Sequence, residues 1–231
     1  MPAEGIWTAD PWPAGWTPES VIETLEPLAV DERRSRLWSV IRARIGSVTV
    51  LMDAPHDPHN AAAVLRSCDG LGVARVHVVP RGEDFAVGRT VAKGAERWID
   101  VVRHTTPEAA LDALHAEGFT TVATHPEGNL APEDLARLPR VAIILGNEHD
   151  GLRDALHEGA KNSVRIPMCG FVESFNVSVA GAVLLYAATR GRSGDLSETE
   201  RARLYARALM RSVSRALDVL AGAKAREGRS P

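Results

Sequence analysis

Short apolar segments alternate with helix-like segments through the middle of this 231-residue chain, and this alternation constrains the fold most strongly. The apolar segments of strand length are SVTVLMDA, RVHVVP, TTVATH, RVAIILG and SVRIPM, and the stretch AERWIDVVRH contains a further short strand. Segments such as PHNAAAVLRSCDGLG, which ends at Gly70 or Gly72, have helical spacing and lie between them. Parallel strands need a crossover, usually a helix, so the alternation predicts an α/β fold with a mostly parallel sheet.

Helical sequences flank this region on both sides. The stretch TPESVIETLEPLAVDERRSRLWSVIRARI begins at Thr17, and Pro27 is expected to divide it into two helices. One or two amphipathic basic helices are predicted from about Ser197. The predicted parts are a tryptophan-containing arm with basic helices (1–46), the sheet domain (47–192) and a basic helical extension (193–231).

The composition excludes several classes of protein. Cys68 and Cys169 are too few and too far apart for a disulfide framework or a zinc site. His56, His59 and His149 lack the spacing of metal ligands, so no metal is expected. Apolar runs are too short to span a membrane, and the N-terminus lacks a secretion signal. We therefore expect a cytoplasmic protein that does not enter a membrane.

Arginine is concentrated towards the two ends of the chain, although the net charge is −3. One cluster runs from Arg33 to Arg44, and a second covers Arg190 to Arg229, while the middle is acidic. Such asymmetry favours contact of both ends with a polyanion; solvated helix faces are the alternative explanation.

Three polar loops follow predicted strands: PHDPHNAAAVLR, LGNEHDGL and IPMCGFVESFN. Ligands of parallel sheets bind at the carboxyl ends of strands, so the three loops could converge on one site. In the third loop Ser174 and Asn176 lie at the start of an apolar helix that is expected to begin near Ser174. They could cap that helix or face a ligand. No Rossmann, Walker or hydrolase-elbow pattern is present.

These loops carry a family resemblance that covers roughly residues 33 to 192. HDPHNAAAVLRSCDGLGV has the spacing Asn60-five residues-Arg66, ILGNEHDGL contains Gly-Asn-Glu-x-x-Gly, and IPMCGFVESFNVSVAGAVLLY has Phe175 where leucine is usual. In these motifs the chain resembles the SpoU branch of the SPOUT methyltransferases, and within it the TrmH-type tRNA ribose methyltransferases.

The resemblance implies a sheet whose C-terminal part forms a deep trefoil knot, which is otherwise very rare. It also implies S-adenosylmethionine (SAM) as the cofactor, bound within the knot, and a homodimer that packs through the apolar helix from Val177 to Tyr186. The residues implied to bind the cofactor are Thr124, Leu145, Gly146, Asn147, Gly151, Ile166, Met168 and Phe175.

The implied reaction is methyl transfer to a ribose 2'-hydroxyl. The implied catalytic residues are Arg66, Asn60, Glu148, Ser174 and Asn176. A guanidinium does not give up its proton readily, so Arg66 is expected to position a phosphate and the hydroxyl. An Arg66–Glu148 ion pair without a catalytic task is the structural alternative.

For the substrate, the basic ends favour tRNA, with guanosine 18 of the D-loop as the target. The residues expected to contact RNA are Arg33, Arg34, Arg36, Arg42, Arg190 and Arg192. The alternatives are a ribose methyltransferase of ribosomal RNA and a catalytically silent RNA-binding module.

Overall fold

The computed structural model describes residues 10–80, 98–147 and 150–227. They form two compact units, one within residues 45–193 and one that combines residues 10–44 with 194–227. The two flanks, which the sequence analysis treats as separate parts, therefore belong to one unit.

The first unit is built on a parallel sheet, which confirms the predicted α/β class. The strands in the described residues are β1 (Val48–Asp53), β2 (Arg75–Val79), β3 (Asp100–Arg103), β4 (Thr120–Thr124), β5 (Val141–Leu145) and β6 (Asn162–Val164). Their order across the sheet is β3-β2-β1-β5-β4-β6, and every neighbouring pair is parallel. The central strands β1 and β5 are buried along their whole length, as expected for apolar strands covered on both faces.

Helices cover both faces of this sheet. They are α3 (Pro58–Gly70), α4 (Pro107–Ala116), α5 (Asp154–Gly159) and α6 (Val177–Thr189), with a 3₁₀ turn at Pro132–Arg137. On one face Val64 of α3 and Leu184 of α6 join a core with Val50 and Ile143. On the other face Leu114 of α4 and Leu156 of α5 pack with Leu51.

The start of α6 differs from the sequence prediction. The helix begins at Val177 rather than near Ser174, because Asn176 is the N-cap and its Oδ1 accepts the Ser178 N–H at 2.9 Å. Strand β6 also ends at Val164, short of the predicted SVRIPM segment. Residues 165–176 therefore form a longer loop than the sequence suggests.

The second unit is helical. It contains α1 (Pro18–Leu25), a 3₁₀ turn (Glu26–Leu28), α2 (Asp31–Arg42), α7 (Glu198–Ser212) and α8 (Ala216–Glu227). The break expected at Pro27 is confirmed. Tyr205 stacks on Trp38 with ring centroids 4.2 Å apart, and its hydroxyl donates to Glu26 at 2.6 Å. Burial, reinforced by Glu26, raises the pKa of the Tyr205 phenol, so that it stays a donor. Across the described ranges, every helix is too short or too polar to cross a bilayer.

Candidate cofactor and catalytic site

A cavity of about 480 Å³ opens at the carboxyl ends of β4 and β5, within the range of small-molecule sites. All eight residues predicted to bind a cofactor line it: Thr124, Leu145, Gly146, Asn147, Gly151, Ile166, Met168 and Phe175. Ser174 and Asn176, predicted to be catalytic, line it as well. The second and third polar loops therefore form one concave site.

The loop after β5 is closed on itself at this cavity. The Asn147 N–H donates to the Gly151 carbonyl at 3.0 Å, and Asn147 Oδ1 accepts the Asp150 N–H at 2.7 Å. A Cβ at Gly146 would lie 2.5 Å from the carbonyl carbon of Gly151, a distance at which the backbone would have to move. Gly151 has φ of +71°, in the left-handed region that favours glycine. Both glycines of the motif are thus required by the backbone, which itself forms the wall of the cavity.

The first polar loop reaches the same region through Asn60. The Asn176 amide donates to Asn60 Oδ1 at 3.1 Å, across 116 positions of sequence. The lining of a very small neighbouring cavity includes Asn60, Gly146 and Val177, one residue from each motif, together with Asp53 at the end of β1. The three motifs therefore meet, although they are far apart in the chain.

Arg66 is not brought into the cavity. It lies on α3, as Asn60 does, but its side chain is exposed and is absent from the cavity lining. Within the described ranges Arg66 has no hydrogen-bond or ion-pair partner. Glu148, also predicted to be catalytic, lies outside the described residues.

The rim beside β4 contains residues that sequence reasoning missed. Thr124 Oγ1 donates to the Ile144 carbonyl at 3.0 Å, and the next residues, His125 and Pro126, also line the cavity. His125 Nδ1 accepts the Glu127 N–H at 3.1 Å, and the His125 ring stacks on His157 at 4.8 Å. The position of His125 at the carboxyl end of the predicted strand segment TTVATH was the available signal.

The cavity lining also includes Glu173, Val177, Ala180 and Leu184. Leu184 and Ala180 come from the apolar helix that the sequence analysis treated as core and as a subunit interface. Among the described side chains, no group of three or more histidine, cysteine, aspartate or glutamate residues could hold a metal ion.

The predicted RNA-binding arginines have different environments. Arg36, Arg42 and Arg190 are exposed, and the Arg42 guanidinium lies 5.5 Å from the centre of the Trp38 ring. Arg33 donates to Ser212 at 3.2 Å, and Arg34 pairs with Asp31. These five remain predicted phosphate contacts.

Arg192 has an internal structural environment. Its guanidinium donates to Ser47 Oγ at 3.0 Å and to the Pro139 and Ala188 carbonyls at 2.8 Å, and it also contacts the Leu138 carbonyl. These bonds tie the end of α6 to the 3₁₀ turn before β5. They give Arg192 a structural task, which differs from its predicted contact with RNA.

The cavity lies outside the carboxyl ends of parallel strands, which is where open α/β sheets bind their ligands. The chain matches the SpoU rRNA Methylase family over residues 47–186, and it belongs to this family. Members of the family are methyltransferases that use SAM.

Three known proteins illustrate the similarity. The tRNA (guanosine(18)-2'-O)-methyltransferase of Escherichia coli K12 is 34% identical over 161 residues, which cover 69% of this chain and 70% of that protein. The TrmH/SpoU tRNA modifying enzyme of A. aeolicus superposes with a TM-score of 0.71 at 27% identity, covering 80% of this chain and 98% of that one. AviRb of Streptomyces viridochromogenes, solved with AdoMet, has a TM-score of 0.56 at 27% identity and covers 66% of this chain and 60% of its own.

Proposed function

We propose that this chain transfers a methyl group from SAM to the ribose 2'-hydroxyl of guanosine 18 in the tRNA D-loop. The proposal rests on one observation: ten predicted site residues line the same cavity. At the edge of this cavity Asn60 is hydrogen-bonded to Asn176. The E. coli relative, which is named for this reaction, supports the choice of substrate. The proposal places the protein with tRNA in the cytoplasm.

The described residues fit SAM in size and in chemistry. The cavity joins apolar side chains such as Leu145, Ile166 and Met168 with the hydroxyl or amide groups of Ser174 and Asn176. The crowded backbone at Gly146 presents main-chain groups instead of a side chain. When bound, SAM supplies a methyl group activated on a sulfonium.

The residues of this chain would align the reacting ribose hydroxyl with the methyl group. Transfer requires the hydroxyl oxygen in line with the methyl group, and fixed geometry of this kind lowers the barrier substantially. The Asn60–Asn176 bond, with Asn176 also capping α6, would hold one side of the ribose site. A guanidinium offers several N–H donors in a planar fork, so the exposed Arg66 side chain would bind an RNA phosphate and orient the hydroxyl.

The exposed arginines would bind the phosphates of the RNA. Arg36, Arg42 and Arg190 are the strongest candidates, because their guanidinium groups are accessible. Each phosphate contact releases counterions and steepens the fall of affinity with salt. D-loop nucleotides are unpaired or can be opened, which suits recognition of a single nucleotide.

A second copy of the chain is the proposed partner of α6. Val179, Val183 and Tyr186 are exposed on this helix at spacings of four and three residues, so they share one face. The preceding loop adds Phe171, which is fully exposed, and Phe175. Exposed apolar patches of this kind mark interaction surfaces. We infer that the same face of two subunits packs together.

Sedimentation of Val183→Glu tests the dimer. The wild type should sediment as a dimer of the 24.9 kDa chain, and the variant as a monomer. Val40→Glu is the matched control, because Val40 is about equally exposed but lies on α2. A monomeric wild type at micromolar concentration would refute the proposed interface.

We also infer that the segment after β6 is threaded to form the trefoil knot of the family. The support is that α6 follows an edge strand yet packs on α3 and on the 3₁₀ turn before β5. Gly181 allows this approach, because a Cβ there would lie 2.9 Å from Leu145 Cδ1. When a single molecule is stretched by its two ends, a knotted chain should reach a shorter extended length than an unknotted chain of the same number of residues. Extension to the full length would refute the knot.

Methyl transfer to unmodified tRNA tests the function. Arg66→Ala should reduce turnover by about 10² or more, in the range of a lost positioning contact, while SAM binding changes little. Arg137→Ala is the control, because Arg137 is also exposed but lies on the 3₁₀ turn. Turnover on ribosomal RNA alone would favour the alternative enzyme. SAM and tRNA binding without turnover would indicate a silent module.

A further inference from the structure

An ion pair between a buried carboxylate and a partly exposed arginine lies at the carboxyl end of β1, outside the three motifs. Asp53 is the last residue of β1, and its side chain is completely buried. Asp53 Oδ2 accepts the Arg153 backbone N–H at 2.8 Å, and Oδ1 accepts Arg153 Nε at 2.6 Å. One carboxylate thus holds both the main chain and the side chain of Arg153.

Neighbouring backbone groups reinforce this contact. The Arg153 guanidinium also donates to the Val79 carbonyl at 3.4 Å, and the same carbonyl accepts the Ala54 N–H at 2.8 Å. Ala54 has φ of +42°, a left-handed conformation that is unfavourable for a residue with a Cβ. The ends of β1 and β2 are therefore held in a specific arrangement around Arg153.

Arg153 is the residue at which the loop lining the cavity ends. Gly146, Asn147, Gly151 and Leu152 all line the cavity, and α5 begins at Asp154. The start of the loop is fixed by β5 and by the Asn147–Gly151 hydrogen bond. Its far end is fixed by Asp53. A buried carboxylate that lost its partner would be strongly unfavourable, so the pair resists movement of the loop.

We propose that Asp53 and Arg153 are positioning residues that hold the backbone of Gly146, Asn147, Gly151 and Leu152 in the arrangement that binds the cofactor. The inference rests on the proposed cofactor site, and it assigns a function to two residues that are 100 positions apart. Neither residue would touch the reacting atoms. Their effect would be on cofactor affinity, through the backbone of the loop.

The test compares Arg153→Met, Arg153→Lys and Asp53→Asn with the wild type. Calorimetry with S-adenosylhomocysteine (SAH) should show Kd raised about 10-fold or more for Arg153→Met, because removing one partner of a buried pair costs several kcal/mol and about 1.4 kcal/mol is enough for a tenfold change. Arg153→Lys should recover part of the affinity, because it keeps a cation near Asp53. The KM for tRNA should stay within about twofold, so that the change is confined to the cofactor.

A double variant, Asp53→Asn with Arg153→Met, tests whether the two residues act together. It should bind SAH about as weakly as Arg153→Met alone, because residues that form one unit are not additive. Arg75→Met is the control: it removes the 2.7 Å Arg75–Glu117 pair at the other end of β2, and it should lower stability but leave SAH binding intact.

The outcomes separate this inference from the proposed function. Arg153 and Asp53 variants that melt at lower temperature but bind SAH like the wild type would overturn the positioning role. Failure of the wild type to bind SAH would instead refute the proposed cofactor site. If Arg153→Met does not fold, Arg153→Lys and Asp53→Asn give the same comparison, and unchanged Kd in both would overturn the inference.

Discussion

Gly146→Ala should weaken cofactor binding through one added methyl group. The new Cβ would lie 2.5 Å from the Gly151 carbonyl carbon and 2.8 Å from the Leu152 nitrogen, whereas ordinary contacts begin at 3.4 Å. The two sides of the loop must therefore separate by about 0.9 Å. Both neighbours are backbone, so no side chain can rotate away. Forcing an extra methyl group into a packed site costs about 1 to 3 kcal/mol, so we expect SAH Kd to rise about 10- to 100-fold, or about 1.4 to 2.8 kcal/mol.

Calorimetry with SAH measures this effect, and Gly170→Ala is the matched control. Gly170 lies in the third polar loop, where a Cβ would meet nothing within 4 Å, so its variant should bind within about twofold of the wild type. Thermal melting of both variants shows whether the fold is intact. Wild-type affinity in a folded Gly146→Ala protein would refute the assignment of this loop as the cofactor wall.

Three further predictions concern stability and RNA binding. Burial lowers the pKa of His77 and of His104, whose rings share a 2.8 Å hydrogen bond, so the unfolded chain binds protons at a higher pH than the folded chain does. The free energy of unfolding should therefore be constant above about pH 7 and should fall as the pH drops below about 6.5. The slope should be at most about 1.4 kcal/mol per pH unit for each histidine. Urea titrations across pH check this, and His77→Leu with His104→Leu should flatten the slope; an equal slope in the double variant would contradict the assignment. Arg192→Ala leaves several carbonyls without their hydrogen-bond donor. The free energy of unfolding, measured with urea, should fall by about 3 kcal/mol, since each hydrogen bond to a charged group contributes about 1.5 to 3 kcal/mol. An unchanged urea midpoint would show that these hydrogen bonds do not stabilise the fold. Arg190→Ala should leave stability unchanged, and it should lower the slope of log tRNA affinity against log salt concentration by about one counterion. Filter binding at several salt concentrations measures this slope. An unaltered slope would exclude Arg190 as a phosphate contact.

The sheet was predictable because its strands are short apolar runs separated by helical periodicity. RVAIILG contains the central strand β5, and Pro27 divides the N-terminal helices as expected. The start of α6 was not predictable, since Ser174 and Asn176 are both good caps and only the backbone path selects Asn176. Local composition cannot decide between two cap residues that are only two positions apart.

The motif resemblance predicted most residues of the candidate site, whereas the contacts between these residues are visible only in the structure. The spacing of Gly146 and Gly151 identifies the loop, but the 2.5 Å approach between them depends on the folded backbone. The Asp53–Arg153 pair joins residues 100 positions apart, so no local pattern reveals it. Arg192 resembles a surface cation in sequence, and its internal bonds depend on where α6 ends.

The central claim is methylation of one ribose in the tRNA D-loop, and nucleotide mapping tests it most directly. Unmodified tRNA incubated with the protein and labelled SAM should contain 2'-O-methylguanosine at position 18 alone. A transcript with deoxyguanosine at that position should accept no methyl group, because the nucleophile is missing. Methylation of a base, or equal labelling of the deoxy transcript, would contradict the account.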